Sequence, residues 1–304
     1  MTFYFDLIAA TFRNATPLVF GTVGETVTER SGVLNLGIEG TMYAGAFSGF
    51  AAAFATGNPL MGVAAAILVG LAAGGVMSLL TVTLGANQHV SGLGLTIVLI
   101  GLAELGNRLL LTGAEVQRIT PMEQWNPLGF LGEAGVMAQQ YGLTYVALLL
   151  VAPLSWWLLG RTSLGLAIRA VGENPEAADA AGISVARVRY ASIMLGSALM
   201  AVGGAFLTLA VLGSFTLDII AGRGWVCIAL VIFGRWRIWR GVAGALIFAF
   251  VYSLGLRLQI QAGLDWLPPE LMLALPYVAV IAALALSGRN VPYPGAYLKP
   301  YRRA

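Results

Sequence analysis

The feature that most constrains this chain is a long run without any charged side chain, from Gly40 to Ala103. A hydrocarbon core about 30 Å thick takes about 20 apolar residues of helix to cross, so the run can hold two or three membrane-spanning helices. The whole chain follows the same pattern, since 58% of its 304 residues are hydrophobic and only 10% are charged. The sequence therefore predicts an all-α, polytopic integral membrane protein.

Turn signals divide the chain into nine candidate spans, which form a single transmembrane domain over residues 1–304. Their predicted bounds are residues 5–27, 39–56, 60–84, 91–112, 142–160, 190–212, 224–234, 240–258 and 270–288. The stretch from Trp225 to Phe233 is too short to cross, which predicts half of a broken or re-entrant helix. We therefore expect about eight to ten transmembrane helices. Glycines one turn apart, such as Gly45 and Gly49, predict close packing between them.

Basic residues fall mainly on one side of this arrangement. They are Arg161, Arg169, Arg187, Arg189, Arg235, Arg237, Arg240, Arg289, Lys299, Arg302 and Arg303. The positive-inside rule predicts that this side is cytoplasmic, with the N-terminus outside and the C-terminus inside. The connection 112–140 fits the opposite face, because it sets Arg118 against Glu115, Glu123 and Glu133.

A polar island at residues 161–189 separates two of the apolar spans, so it is predicted to be a loop on the cytoplasmic side. Capping signals divide it into two short helices rather than coil. In the first, Ser163 is expected to cap a segment that ends at Gly172.

The second helix of the island carries its own start and stop signals. Asn174 is the expected cap, Pro175 occupies the first helical position, Glu176 suits the positive end of the helix dipole, and Gly182 closes the turn. Its alanines form a small-residue surface able to enter a groove on another protein; they are Ala177, Ala178, Ala180 and Ala181. The alternative is a helical loop without a partner.

Polar residues also run from the first span into the second, in the segment Glu25–Gly45. Such residues are costly in lipid unless they pair with one another or face a cavity. Asn35 and Glu39 are therefore candidates for a solute pathway. The alternative is that Glu29 and Arg30 pair at the interface, and that Asn35 and Glu39 cap the next helix.

A polar turn between two spans, GANQHVSGLGLT, adds Asn87 and Ser91 as further pathway candidates. It also contains His89, which is the only histidine. A zinc site or a Ser–His catalytic pair would need partners that are not visible nearby, so a capping or packing role is favoured for His89.

Enzyme and nucleotide motifs are absent. Lys299 is the only lysine and lies near the C-terminus, so no GxxxxGK[ST] phosphate-binding loop exists. HExxH and GxSxG motifs are also missing. The chain is predicted not to be an enzyme, to bind no cofactor, and to rely on another subunit if ATP drives it.

Four motifs together resemble a known family: ERSGVLNLGIEGTM, ANQHVSGLGLT, GENPEAADAAGI, and AGRGWVCIALVIFGRW followed by GVAGALIF. The chain is similar to the permease subunit of bacterial ATP-binding-cassette importers, in the branch for nucleosides, simple sugars and branched-chain amino acids. The LNLGIEG element and the tail VPYPGAYLKPY most resemble the shorter nucleoside-type permease. The basic sequence FGRWRIWRG departs from the pattern expected of relatives.

The resemblance implies an inner-membrane complex with a cytoplasmic ATPase that binds ATP, a second paralogous permease and an extracytoplasmic substrate-binding lipoprotein, with no role for nucleic acid. It identifies the second island helix as the coupling helix that docks on the ATPase. The residues assigned to coupling are Arg169, Gly172, Asn174, Pro175, Glu176, Ala177, Ala178 and Gly182.

Other functions stay open at this point. A simple-sugar or branched-chain amino acid permease would share the same motifs. An ion-coupled secondary transporter would need intramembrane carboxylates, for which Glu39 and Glu104 are the obvious candidates. A scaffold or membrane enzyme is disfavoured because no catalytic constellation is present.

Overall fold

The computed structural model of the protein describes residues 2–110, 117–261, 268–287 and 293–301. Several basic and acidic residues used to predict orientation lie outside these ranges, namely Glu115, Arg289, Arg302 and Arg303.

Helices make up most of the described chain. Their bounds are α1 Thr2–Glu29, α2 Ile38–Thr56, α3 Pro59–Thr83, α4 Gln88–Leu110, α5 Gly142–Arg161, α6 Ser163–Glu173, α7 Pro175–Ala180, α8 Val185–Leu212, α9 Arg223–Phe233, α10 Ile238–Gln261 and α11 Pro269–Ser287. Parts of α3, α5 and α8 widen to π-helix, at Leu79–Thr83, Val146–Val151 and Leu207–Leu212. Between α4 and α5, a short 3₁₀ segment spans Gly129–Ala138, and the two-residue strands Gln124–Trp125 and Gln140–Tyr141 pair antiparallel.

The predicted all-α polytopic architecture is confirmed. Five helices are long and apolar enough to cross a membrane: α3, α4, α5, α8 and the part of α10 from Ile238 to Gln259. In addition, α1, α2 and α11 have 28, 19 and 19 residues. The predicted short segment is α9, whose 11 residues extend about 16 Å, roughly half of a hydrocarbon core.

The centre of the fold is α8, which packs against α1, α2 and α3. In an 18-residue apolar stretch of α8, 78% of the residues are buried, which is the highest share among the five candidate spans. Glycine allows these close approaches, because a Cβ at Gly204 would collide with the Met42 carbonyl and one at Gly45 with the Ala201 backbone. The predicted role of glycine in helix packing is therefore confirmed.

Two non-helical segments interrupt the helices and end at the same place. Residues 30–37 lead into α2, and residues 213–222 lead into α9. The first turn of α2 lies well inside the bundle, since Gly40 packs on the backbone of Thr96, about 12 Å along α4 from its start. Gly224, at the start of α9, packs directly on Glu39 of α2. The starts of α2 and α9 therefore meet in the interior.

Replacing Gly204 by alanine is expected to destabilise the protein by about 1–3 kcal/mol, because the added Cβ overpacks the contact with Met42. Gly75→Ala is the matched control, since a Cβ there would meet nothing within 4 Å. Thermal unfolding of the purified protein in detergent should show a lower midpoint for Gly204→Ala only. Equal midpoints for the two variants would contradict the packing described for α8.

Candidate functional site

The second island helix, α7, has the caps that the sequence predicts. The Asn174 Oδ1 accepts a hydrogen bond from the Ala177 N–H at 3.0 Å, and Pro175 is the first helical residue. Gly182 adopts φ +84°, the left-handed conformation that ends a helix at little cost for glycine. A short, capped helix therefore forms where it was expected.

The cap of α6 differs from the prediction. Thr162, not Ser163, is the capping residue, and its Oγ1 accepts a hydrogen bond from the Gly165 N–H at 3.0 Å. Thr162 has an extended backbone, with φ −105° and ψ 157°, which turns its hydroxyl toward the free amides of the first turn. Ser163 is already helical, and α6 ends at Glu173, one residue beyond Gly172.

The assignment of Ala178 to the docking surface is wrong. Ala178 is only 4% exposed and belongs to the chain's own hydrophobic core. A short helix lying on α6 and α8 must turn one face inward, and the run of alanines hides which face that is. The residues left exposed in and beside α7 are Asn174, Glu176, Ala177, Ala180, Ala181 and Gly182.

Two further residues assigned to coupling face the protein itself. Gly172 is buried against the loop after α1, where a Cβ would collide with the Arg30 carbonyl oxygen. Arg169 is half-buried, donates from Nε to the Gly165 carbonyl at 3.4 Å, and lines a cavity together with Arg30. Gly172 therefore packs α6 against the loop after α1, and Arg169 lines a cavity beside that loop.

A C-terminal segment, residues 293–301, crosses this face of the protein, and we call it the tail strap. The Ala296 N–H donates to the Gly172 carbonyl at 2.8 Å, which fixes the strap to the end of α6. The Tyr301 hydroxyl donates to Asp179 Oδ2 at 3.1 Å, which fixes it to α7. The strap therefore holds the two island helices together.

The tail strap also contacts the loop between α1 and α2. The Leu298 N–H donates to the Gly32 carbonyl at 3.2 Å. The buried guanidinium of Arg189 joins the same region, donating to the carbonyls of Ser31 at 3.3 Å and Lys299 at 3.4 Å. Contacts of α7 with the strap thus continue into residues 30–37.

Trp236, in the turn between α9 and α10, is a second junction. It is 2% exposed, and its Nε1–H donates to Glu29 Oε2 at 2.6 Å. The Arg30 Nε donates to the Trp236 carbonyl at 3.0 Å. Tyr293 and Tyr297 of the tail strap pack edge-on against its ring, with centroids 4.9 and 5.9 Å away. Glu29 and Arg30 therefore each bind Trp236, in place of the mutual ion pair that the sequence left open.

Asn35 is fully buried and organises the loop that enters the bundle. Its N–H donates to Glu25 Oε1 at 2.9 Å, and its Oδ1 accepts from the Gly37 N–H at 3.0 Å. Its Nδ2 donates to Ser197 Oγ, 3.2 Å away on α8. Asn35 thus shapes the turn before α2 but does not cap the helix, because the cap position is Gly37 and no side-chain capping bond forms there.

Glu39 is 8% exposed and binds the start of α9 rather than its own helix. Its two carboxylate oxygens accept hydrogen bonds from the Gly222 N–H at 2.8 Å and the Gly224 N–H at 2.7 Å. The first amides of a helix lack internal partners and carry the positive end of its dipole, so a carboxylate compensates both. Glu39 therefore joins the two interrupted segments.

The polar residues of the turn before α4 also form hydrogen bonds that stabilise the local structure. Asn87 Oδ1 accepts from the His89 N–H at 2.9 Å and the Val90 N–H at 3.2 Å, which caps α4. Ser91 is 9% exposed in the next turn. Sequence reasoning missed Gln88, whose Oε1 accepts from the Leu34 N–H at 2.8 Å and so holds the loop beside Asn35. The pathway role of Asn35, Glu39, Asn87 and Ser91 stays a prediction.

A partly open cavity of about 300 Å³ lies between α1, α9, α10 and α11. Its polar lining comes from Asn14, Arg223, Tyr252 and Tyr277, with the Arg223 guanidinium 5.9 Å from the centroid of the Tyr252 ring. Sequence reasoning also missed this cavity. Isolated polar residues in apolar helices, such as Asn14 in α1, were the available signal.

Comparison with known proteins agrees with the fold. Residues 7–284 match the family described as branched-chain amino acid transport system / permease component. The putative glucose ABC transporter permease protein TsgC13 of Haloferax volcanii is 34% identical over 100% of this chain and 99% of its own. The nucleoside ABC transporter permease protein NupC of Lactococcus lactis is 34% identical over 90% and 89%, and the guanosine ABC transporter permease protein NupQ of Bacillus subtilis is 32% identical over 94% and 96%. No solved structure matches the chain.

The fold and these matches define a multi-pass membrane transport component. The chain belongs to the family of ABC transporter permease components, in its nucleoside and sugar branch. The resemblance drawn from the motifs is therefore confirmed. Membership of this family implies an ATPase and a substrate-binding protein as partners.

Glu39→Leu is expected to destabilise the protein more than Glu39→Gln does. Leucine leaves the buried Gly224 amide without an acceptor, at about 1–3 kcal/mol, and also the partly buried Gly222 amide at a smaller cost, whereas glutamine keeps one acceptor oxygen. Thermal unfolding in detergent measures the difference. The account of Glu39 fails if leucine and glutamine variants unfold at the same temperature as the parent.

Proposed function

We propose that this chain is the membrane-spanning subunit of an importer that moves a small polar solute, most specifically a nucleoside, into the cytoplasm. A separate subunit binds and hydrolyses ATP, and the solute crosses by alternating access. ATP binding favours one of two conformations only if the ATPase contacts them differently, so a mechanical link between the ATPase and the solute route is required.

The observation that carries the proposal is a series of contacts that leads from α7 toward the start of α9, made of hydrogen bonds, ring packing and one short stretch of chain. The tail strap bonds to Asp179 of α7 and to Gly32, and its tyrosines pack on Trp236, which donates to Glu29. Residues 30–37 then lead along the chain into α2, where Glu39 accepts hydrogen bonds from the start of α9. In the proposed mechanism the ATPase binds the exposed face of α7. A displacement of α7 is then transmitted to the interior through these contacts, which join rigid elements.

The cavity between α1, α9, α10 and α11 supports a nucleoside as the solute. Its volume is at the lower end of the range of small-ligand pockets, about 300–1,000 Å³. Aromatic rings at Tyr252 and Tyr277 can stack on a base, and Asn14 and Arg223 can bond polar edges. NupC and NupQ are described as nucleoside and guanosine permeases. A simple sugar is the second candidate, supported by the equally similar TsgC13 and by the same aromatic and polar groups.

A second permease is part of the proposed complex, and α4 supports it. In an 18-residue apolar stretch of α4, only 22% of the residues are buried within this chain, which is the lowest share among the five candidate spans. Gly94 and Gly101 lie two turns apart on α4, and a Cβ on either would meet nothing within 4 Å. Small residues at such spacing allow a helix of another subunit to approach closely. The substrate-binding lipoprotein would deliver solute on the opposite side from α7.

Orientation can be measured with single cysteines, because the native Cys227 is fully buried. We expect Glu176→Cys in α7 to react with a membrane-impermeant maleimide only from the cytoplasmic side. Asn58→Cys, in the exposed turn between α2 and α3, should react only from outside. Labelling in intact spheroplasts and in inverted vesicles distinguishes the two. The reverse pattern would place α7 away from any cytoplasmic ATPase.

Ala177→Arg is expected to weaken ATPase binding or uncouple hydrolysis from uptake, since it puts a large charge on the exposed face of α7. Ala55→Arg is the matched control, because Ala55 is also exposed but lies near the C-terminal end of α2. Ala178→Arg would not be informative, because Ala178 is buried in the chain's own core.

Co-purification of the ATPase and the ratio of hydrolysis to uptake measure the effect of Ala177→Arg. The control should behave as the parent in both assays. Parental ATPase binding together with parental coupling in Ala177→Arg would refute the docking assignment.

Replacing both Asn14 and Tyr252, as Asn14→Leu and Tyr252→Leu, is expected to reduce nucleoside uptake by tenfold or more, about 1.4 kcal/mol, through loss of polar and stacking contacts. Competition by unlabelled nucleosides and sugars in the parent identifies the solute class. Parental uptake in the double variant would place the solute route elsewhere, for example along α4. Competition by sugars alone would favour the second candidate.

A further inference from the structure

A second cavity, of about 440 Å³, lies on the α7 side, where α1, α5, α6 and the turn before α10 come together. Its lining is unusually rich in basic and aromatic side chains. The main ones are Arg30, Arg169, Arg237, Arg240, Trp156 and Trp239. The arginines at 237 and 240 belong to the basic sequence FGRWRIWRG, which the proposed coupling does not explain.

The guanidinium groups of Arg169 and Arg237 each repel that of Arg30. Burial lowers the pKa of the Arg30 guanidinium, and the charges of Arg169 and Arg237 lower this pKa further. The negative charge of Glu173 raises it. Within the described residues, none of the four arginines forms an ion pair with a carboxylate. Arg30 and Arg169 use Nε for backbone carbonyls, so their terminal nitrogens remain for another acceptor. The cavity therefore has the charge of a site for an anion.

The backbone that presents two of these arginines is held in an uncommon conformation. Arg235 and Trp236 both have left-handed φ values, 51° and 54°, which cost of order 1 kcal/mol or more each for residues with a Cβ. The buried Trp236 ring, its bond to Glu29 and its contacts with the tail strap maintain the turn. The chain thus stabilises an unfavourable turn that places Arg237 beside the cavity.

The cavity opens beside the apolar outer surface of the bundle. Trp156 and Trp239 are each 47% exposed at its edge. On α5 the adjacent surface is apolar and exposed, with Leu154 at 52% and Trp157 at 51%. Indole rings favour the level of lipid headgroups, and arginines next to a transmembrane helix attract anionic headgroups. An occupant with both a negative head and an apolar body fits this border better than a soluble anion does.

We propose that this cavity binds the headgroup of an anionic phospholipid from the cytoplasmic leaflet, with the phosphate among the four arginines and the acyl chains along α5. The orientation is the one proposed above, but lipid binding does not depend on which solute the protein carries.

The test is a titration of the detergent-solubilised full chain with phosphatidylglycerol brominated on its acyl chains, read as quenching of tryptophan fluorescence. Brominated phosphatidylcholine is the control for headgroup charge. We expect saturable quenching at low mole fraction with phosphatidylglycerol only. The variant Arg237→Gln with Arg240→Gln should bind about 30-fold more weakly, as expected for the loss of two surface charges.

Arg187→Gln is the matched control variant, because Arg187 is exposed at the start of α8 and does not line the cavity. It should bind phosphatidylglycerol as the parent does. Thermal unfolding of each variant establishes that the fold is intact. The proposal is overturned by equal quenching with both lipids, or by parental affinity in the double variant. It is also overturned if free glycerol phosphate competes as strongly as the lipid, which would indicate a soluble anion.

Discussion

Carboxylates enclosed among apolar helices require hydrogen-bond donors, and three glutamates in this chain obtain them from interrupted segments of the fold. Glu39 accepts hydrogen bonds from the first amides of α9. Glu25 accepts one from the Asn35 N–H, and Glu29 accepts one from the indole N–H of Trp236. The backbone amides are available because a helix starts nearby, and the turn between α9 and α10 positions the Trp236 indole. The acidic residues and the helix breaks therefore stabilise each other.

This dependence gives the interior a specific geometry. Glu39 holds the start of α9 against the start of α2, so the non-helical residues before each helix must end at the same point. Broken helices are tolerated inside membranes where such compensation is available. In transporters, these interruptions commonly lie where substrates bind and where the halves of the protein move. The cavity beside Arg223 adjoins this junction.

Helix α7 at the surface is connected to this interior junction through a few contacts. Trp236 and the tail strap contact the same short loop, which follows α1 and precedes the buried Asn35. Helix α7 contacts the strap through Asp179. In the proposed mechanism, an ATPase on α7 therefore acts on a loop only a few residues from the α2–α9 junction, which makes a local displacement sufficient.

Much of this fold follows from the sequence alone. Long uncharged runs determine the helices, and their predicted ends lie within five residues of the observed ones because charges and caps stop helices sharply. The caps of α7 at Asn174 and Gly182 follow for the same local reason.

Tertiary partners could not be predicted in this way. A lone glutamate at position 39 does not reveal that its partner is 183 residues away at Gly222, and alanines around α7 do not reveal that Ala178 faces inward. The roles of Gln88 and the tail strap were missed because each depends on a partner distant in sequence.

The most direct test of the central claim is hydrogen–deuterium exchange of the assembled complex, with and without a non-hydrolysable ATP analogue. The account predicts that nucleotide changes protection in three places together: α7, residues 34–40, and the start of α9 at residues 222–225. A change confined to α7, with constant protection of the amides bound to Glu25 and Glu39, would contradict a mechanical link between the docking surface and the buried network.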